Sequence, residues 1–281
     1  MGMTEEWRLG PRIEVRDLFA REHEETMALL RDLGAEEWQR PTGCPGWRVR
    51  DIAAHVLGDH LNRLARSRDR HPDGPRPRSG EPFPRFIDRL NEEWVATTRA
   101  WSPRMLVDLL GHVGPRIVEY WRTVDPDALG EPVTWAGPDP APVWLDAARD
   151  LTEYWTHQQQ IRDATGRPGF TQPEVVHPVL DTFLRALPHT LRDVPAPEGT
   201  RLLFTVTGPE GGHWSCEYRD GGWMVDRGGV RDPEATIELD ADTTWRLCTR
   251  GITPEEATRR SREHGDARLT ATALTVLSII R

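Results

Sequence analysis

The apolar spacing changes period once along this chain, and that change limits the fold more than any other feature. Up to about residue 187, apolar residues recur every three or four positions; from about residue 201 they alternate in short runs. The stretch between them, PHTLRDVPAPEGT, has the proline and glycine content of a linker. Such a pattern predicts an all-α bundle followed by a small α+β domain, and 281 residues are enough for two modest domains. No repeat with a period of about 20 to 50 residues is present, so a solenoid is not expected.

In the first part, Leu18, Phe19, Thr26, Leu29, Leu30 and Leu33 share one face of a helix over Val15 to Leu33. A second helix, Val49 to Leu64, aligns Val49, Ile52, Ala53, Val56, Leu57, Leu61 and Leu64. Arg66 to Pro84 reads as a loop, Arg85 to Trp101 as a third helix, and Ser102-Pro103 as an N-cap and first turn leading to Val124. Gly114-Pro115 is expected to kink or break that run. Residues 125–142 are too rich in Pro and Gly for a regular element, and Val143 to Thr165 forms the next helix. Its core face carries Trp144, Ala147, Leu151, Tyr154, Trp155, Gln158 and Ile161, and Gly166 is placed to stop it. Leu180 to Leu187 is one more short helix. Beyond the linker, RLLFTVTG, HWSCEYRD, GWMVDRG and ATIELD read as strands, the second and third joined by the hairpin signal Asp220-Gly221. Helices near Thr243 to Arg250 and from Ala267 to Ile280 complete the expectation.

Charge narrows the function. The chain has 36 basic residues, all arginine, against 45 acidic ones and a net charge of −9, so it offers little grip on phosphate backbones or anionic lipid. Nucleic acid and membrane partners are therefore not expected. The start, MGMTEEWRLGPRIEV, is charged where a secretory segment is apolar, which predicts a cytoplasmic protein. Cys44, Cys216 and Cys248 are odd in number, far apart and without a C-x-x-C pair, so neither a disulfide framework nor a thiolate zinc ribbon is supported. The absence of lysine excludes a Schiff-base or catalytic lysine. The glycine fingerprints of nucleotide-binding loops and the G-x-S-x-G elbow are missing as well.

The candidate chemistry lies in DLTEYWTHQQQIRDATG. Glu153 and His157 stand at i and i+4, so a carboxylate and an imidazole project about one turn apart and reach one metal ion. His55, in VRDIAAHVLGDH, is the best third ligand, with His60 and His112 in reserve. Two histidines and one carboxylate form a ligand set that leaves a position open for water or a thiol. A helical wheel puts Glu153, His157 and His55 away from the apolar stripes, as solvated faces would be, and His60 on its stripe as a core-edge imidazole with a satisfied hydrogen bond. Cys44, just before the second helix, is a candidate nucleophile or simply part of a CPGW turn. The Arg63 to Arg85 segment holds seven arginines and reads as an anion-receiving loop or a plain surface loop. The twelve tryptophans need only packing roles.

CPGWRVRDIAAHVLGDH resembles the N-terminal motif of the mycothiol-dependent maleylpyruvate isomerase family, within the DinB-like metalloenzymes. NEEWVATTRAWSPRMLVDLL and LTEYWTHQQQIRDATGRP resemble its later helices, and EHGDARLTATAL its small C-terminal domain. The resemblance implies a DinB-like four-helix metal-binding bundle over residues 12–190 and a small sterol-carrier-like α+β domain over 199–281. It further implies zinc, or another divalent metal such as nickel or iron, held by His55, Glu153 and His157, with mycothiol as cofactor. The activity implied is that of an isomerase or S-transferase acting on a small electrophilic substrate, with no protein nucleophile assigned. Thr156 departs from the family, which often has an aromatic or histidine beside the last ligand. Arg246, in TTWRLC, is a candidate for contact with the thiol or is a surface arginine. A GC-rich actinobacterial source fits the all-arginine composition. The rival reading is a non-catalytic protein that binds a hydrophobic ligand and keeps a vestigial metal site. Oligomeric state is left open.

Overall fold

The computed structural model describes residues 10–131 and 141–278. The chain folds as two compact units, one made of residues 16–124 and 153–170, the other of the residues before 16 together with 125–152 and 171–281. The first is helical: α1 (Phe19–Asp32), α2 (Val49–Arg63), α3 (Phe83–Thr98), α4 (Pro103–Thr123) and the C-terminal part of α5 (Val143–Thr165). Helix α4 packs on both α1 and α2, and α3 packs on α2. The expected stripes supply the core, with Phe19 and Leu30 from α1, Ile52 and Leu57 from α2, and Leu106, Ile117 and Trp121 from α4 all buried. Phe19 stacks on Trp121 at a centroid distance of 5.6 Å and meets Tyr154 edge-on at 6.2 Å, an aromatic knot joining three helices.

Helix α4 starts where the sequence says it should, Ser102 Oγ accepting from the Met105 amide at 3.2 Å. The interruption expected at Gly114-Pro115 does not occur; the helix runs through Pro115. A proline forfeits one backbone hydrogen bond, and packing of the buried face against two helices outweighs that local cost. Gly114 has a different task. A Cβ there would lie 2.0 Å from Cε1 of His23, so only glycine lets α1 bring that ring against α4. The segment read as a loop from Arg66 is helical at its start, a π-helical turn over Leu64–Arg68 prolonging α2. Arg63 is buried with its guanidinium 5.2 Å from the centroid of the Trp121 ring, and so is a packing residue of the core.

Glu22, on the buried face of α1, is 3% exposed and accepts from Thr26 Oγ1 at 2.7 Å. Burial raises its pKa from the ordinary carboxylate value of 4.5 to about 7, against the downward pull of hydrogen bonds from Thr26 and Gln158. The folded state thus keeps a proton that the unfolded chain releases. The resulting stabilisation is full below about pH 4.5 and is lost as pH rises through about 7, a fall of about 3 kcal/mol at about 1.4 kcal/mol per unit. Urea unfolding from about pH 5 to about pH 8 is expected to show this slope in the difference between wild type and Glu22→Gln, since the buried histidines contribute equally to both. Parallel profiles for the two proteins would reject it.

The second unit is built on a five-stranded sheet in the order β3-β2-β1-β4-β5, with β1 Arg201–Thr207, β2 Gly212–Arg219, β3 Gly222–Arg227, β4 Ala235–Asp240 and β5 Arg262–Gly265. All neighbours are antiparallel except β1 and β4, which pair parallel with Leu202 opposite Ala235. Leu202, Phe204 and Val206 of β1 and Ala235, Ile237 and Leu239 of β4 are buried in strict alternation, the period that marked them in the sequence. The turn Asp220-Gly221 joins β2 to β3 as expected. Helices α6 (Pro173–Leu184) and α8 (Ala241–Cys248) pack together, α6 touching β2 and α8 touching β1 and β4. Helices α7 (Leu187–Leu191) and α10 (Ala267–Ala273) pack on each other and on β3 and on β4 and β5, respectively.

Four details differ from expectation. Helix α6 begins at Pro173 and not at Leu180, because Pro173 at its first turn and Pro178 early inside it are compatible with a helix that buries Val175, Val176 and Val179. The start of the linker stretch belongs to α7, whose Leu187 and Leu191 are buried. Helix α9 (Pro254–Arg260) and β5 have no apolar stripe strong enough to announce them; β5 is an edge strand with the sequence REHG. Helix α10 ends at Ala273, short of the expected Ile280, and residues 279–281 lie outside the described residues, as do 132–140 of the Pro/Gly-rich stretch and the first nine residues. No described helix is long and apolar enough to cross a membrane.

Candidate metal centre

The turn that leads into α2 sets up the site. Residues 44–47, CPGW, close on a hydrogen bond from the Trp47 amide to the Cys44 carbonyl at 3.0 Å, with Gly46 at φ +81°. Proline followed by a residue of positive φ is the type II turn, and glycine makes that φ free of strain. The Thr42 amide donates to the Trp47 carbonyl at 3.0 Å, and Asp51 accepts from the Arg48 amide at 2.9 Å, so chain entry and first turn are both pinned. From there His55 lies about one and two-thirds turns into α2, and the Trp47 ring stands 5.1 Å from the His55 ring.

Helix α5 brings the other two groups. His55 Nε2 lies 3.3 Å from Glu153 Oε1, and His157 Nε2 lies 3.0 Å from the same oxygen. One ligand atom from each of His55, Glu153 and His157 falls within 4.8 Å of the others, and the two imidazole rings meet edge-on with centroids 4.6 Å apart. Metal–ligand bonds of about 2.0–2.2 Å put neighbouring donors about 3 to 3.5 Å apart, so the donor set fits a single divalent cation. The histidines are 3% and 2% exposed, whereas the Glu153 side chain keeps 20%. The solvated faces expected from the helical wheel are therefore absent: both helices turn these polar groups inward.

Electrostatics agree with a site built for positive charge. Burial works against ionised Glu153, yet the charge of His157 and hydrogen bonds from both histidines outweigh it and hold the carboxyl below the usual carboxylate range. Burial also works against a His157 cation, and the Glu153 charge, the largest opposing cause, lifts the imidazole well above its ordinary value. A metal ion would take the place of the proton that these two groups share.

Three neighbours complete the surroundings, two of them unnoticed in the sequence. Asp59, one turn beyond His55 on α2, places Oδ2 3.2 Å from His55 Nε2. Gln160, one turn beyond His157 on α5, accepts from His157 Nδ1 at 2.8 Å. Cys44 donates its Sγ–H to the same Gln160 oxygen at 3.2 Å. The i, i+4 spacing of His55 and Asp59 was a signal available in HVLGD, since it repeats the Glu153–His157 spacing in reverse order. Cys44 is half-buried beside the centre; Cys216 and Cys248 are buried, and burial pushes both thiols up. Thr156 buries an Oγ1 that has no partner among the described residues.

The reserve ligands lie elsewhere. His60 is a buried core residue with its ring 4.6 Å from Tyr154, and burial drives its pKa down to about 3. The satisfied hydrogen bond expected of it is not found at Nδ1, which has no partner among the described residues. His112 is exposed on α4. Arg246 lies on α8, its Nε 2.9 Å from Asp242 Oδ2 and its guanidinium 4.3 Å from the centroid of the Trp245 ring.

The sequence model of the mycothiol maleylpyruvate isomerase N-terminal domain matches residues 19–162, just over half of the chain and all three convergent side chains. The chain belongs to that family. Among solved structures, a crystal structure of a histidine-to-alanine mutant of the mycothiol-dependent maleylpyruvate isomerase is similar over 92% of this chain and 95% of its own, with 17% identity and a TM-score of 0.55. The crystal structure of the mycothiol-dependent maleylpyruvate isomerase itself covers 84% of this chain and 88% of its own, with 18% identity and a TM-score of 0.51. At such identities the likeness establishes a shared fold. No curated protein matches the chain.

Proposed function

We propose that this family member is a mycothiol-dependent isomerase of a small electrophilic, carboxylated substrate, with a divalent metal held by His55, Glu153 and His157. The observation that carries the reading is the convergence of those three donors, from two helices, in a chain that belongs to a family named for a mycothiol-dependent isomerisation. On this reading the helical unit is a DinB-like four-helix metal-binding bundle and the sheet unit a sterol-carrier-like domain. That both structural relatives are maleylpyruvate isomerases favours isomerase over S-transferase.

A divalent cation held by His55, Glu153 and His157 would lower the pKa of a coordinated thiol and so favour the thiolate, the form in which a small thiol adds to and leaves an activated double bond. The chain's own part is positional. His55 and His157, packed at 3% and 2% exposure, hold their Nε2 atoms in place, and the more open Glu153 leaves the approach from solvent on its side. No side chain is assigned as a nucleophile.

The test is isomerisation of maleylpyruvate with mycothiol, zinc and the purified protein. Omitting the thiol, or stripping metal with a chelator, is expected to slow turnover at least about a hundredfold, with recovery on adding metal back, because metal catalysis is worth several kcal/mol. Undiminished turnover after chelation would overturn the metal part. Failure in every metal form would overturn the isomerase part.

A further inference from the structure

Outside the three donors, the shortest polar contact to a ligand ring is that of the Gln160 side chain, 2.8 Å against 3.2 Å for Asp59. Glu153, His157 and Gln160 stand at i, i+4 and i+7, so α5 presents them in one row. The amide oxygen of Gln160 meets two donors, Nδ1–H of His157 at 2.8 Å and Sγ–H of Cys44 at 3.2 Å. As placed, the amide oxygen meets both hydrogens, whereas the flipped amide would set its NH2 against a sulfur that accepts only weakly.

We propose that Gln160 is the positioning residue of this centre: by accepting Nδ1–H it fixes the His157 tautomer and ring plane, so that Nε2 faces Glu153 and His55 with its lone pair free for a metal. A neutral imidazole has one N–H and one acceptor nitrogen, and the partner of one nitrogen decides the state of the other. Cys44 acts one step further out, holding the amide, from a turn that the CPGW sequence makes rigid. The inference rests on the metal reading of the site and adds to it the residue that prepares one ligand.

Cobalt(II) affinity, measured by competition with a chromophoric chelator, separates the two claims. Wild type, His157→Ala, Gln160→Leu and Gln160→Glu are compared, together with the visible cobalt spectrum and the melt of each metal-free protein. Gln160→Leu is expected to bind cobalt about 10- to 100-fold more weakly with an altered spectrum, while its metal-free melt stays close to wild type. Gln160→Glu, which restores an acceptor at the same place, is expected to bind at least as tightly as wild type. If wild type binds cobalt and Gln160→Leu binds equally well, the positioning role is overturned and the metal site stands. If Gln160→Leu does not fold, Gln160→Glu decides alone, and binding tenfold weaker than wild type overturns the role. If wild type binds no cobalt or zinc, the metal reading falls and the role of Gln160 with it.

Discussion

Replacement of His157 by alanine is expected to reduce bound metal from about one equivalent to near zero, read by elemental analysis of wild type and variant purified side by side. The reason is geometric. Of the three convergent donors only His55 and Glu153 remain, 3.3 Å apart on separate helices; Asp59 reaches His55 Nε2 at 3.2 Å but lies outside the convergent set, and a pair without its third ligand does not compete with water and buffer for zinc. Alanine also removes the group whose charge offsets the burial of Glu153. A second readout is independent of metal analysis. In wild type, free metal at 100 to 1,000 times its Kd is expected to add about 3 to 4 kcal/mol of stability, all of it reversed by a chelator. In His157→Ala the chelator is expected to change nothing. A wild type that carries metal and a variant that carries just as much would place the ion elsewhere and remove the basis of the proposed mechanism.

How far the sequence reached can be judged residue by residue. The helical faces over Phe19–Asp32, Val49–Arg63 and Val143–Thr165, and the alternation in β1 and β4, were legible because burial of one side imposes a period that survives in the letters. The convergent trio was legible as spacing plus a resemblance. Its burial was not. A wheel assigns each helix one wet face, but α5 is buried nearly all round, with Trp155, Thr156, His157 and Gln158 all below 4% exposure. Gln160 gave no signal, since a glutamine row in a helix, QQQ at 158–160, looks like ordinary surface polarity until the partner turn is in place. Helix α9 and strand β5 escaped for a different reason. Each is short and polar, and each is stabilised by pairing or capping from elsewhere in the fold, β5 by β4 and α9 by the Thr253 hydroxyl on the Glu256 amide at 3.2 Å.

The core of the sheet unit hides an ion pair that sequence could not announce, and its disruption is the second large effect. Asp181 and Arg185 stand at i and i+4 at the end of α6, with side chains 1% and 0% exposed. Arg185 Nε donates to Asp181 Oδ1 at 3.1 Å and its NH2 to Oδ2 at 3.0 Å, a two-point grip that matches the guanidinium fork. The same carboxylate accepts from Trp214 Nε1 at 2.9 Å and lies 3.5 Å from Arg227 Nε, so α6, β2 and β3 are tied to one anion. Arg185 also donates to the Pro11 carbonyl at 2.8 Å, which fastens the start of the described chain. Asp181→Ala leaves a buried cation and a buried indole N–H without their acceptor. Its expected cost is about 3–5 kcal/mol, read as a lower urea midpoint at unchanged slope. Charge, not volume, should govern the loss. The double replacement Asp181→Leu with Arg185→Met removes both ions and fills similar space, so it is expected to recover most of the stability lost by Asp181→Ala. A single replacement that costs less than about 1 kcal/mol would mean that water reaches this pair after all, and a double one no better than the single would assign the loss to packing.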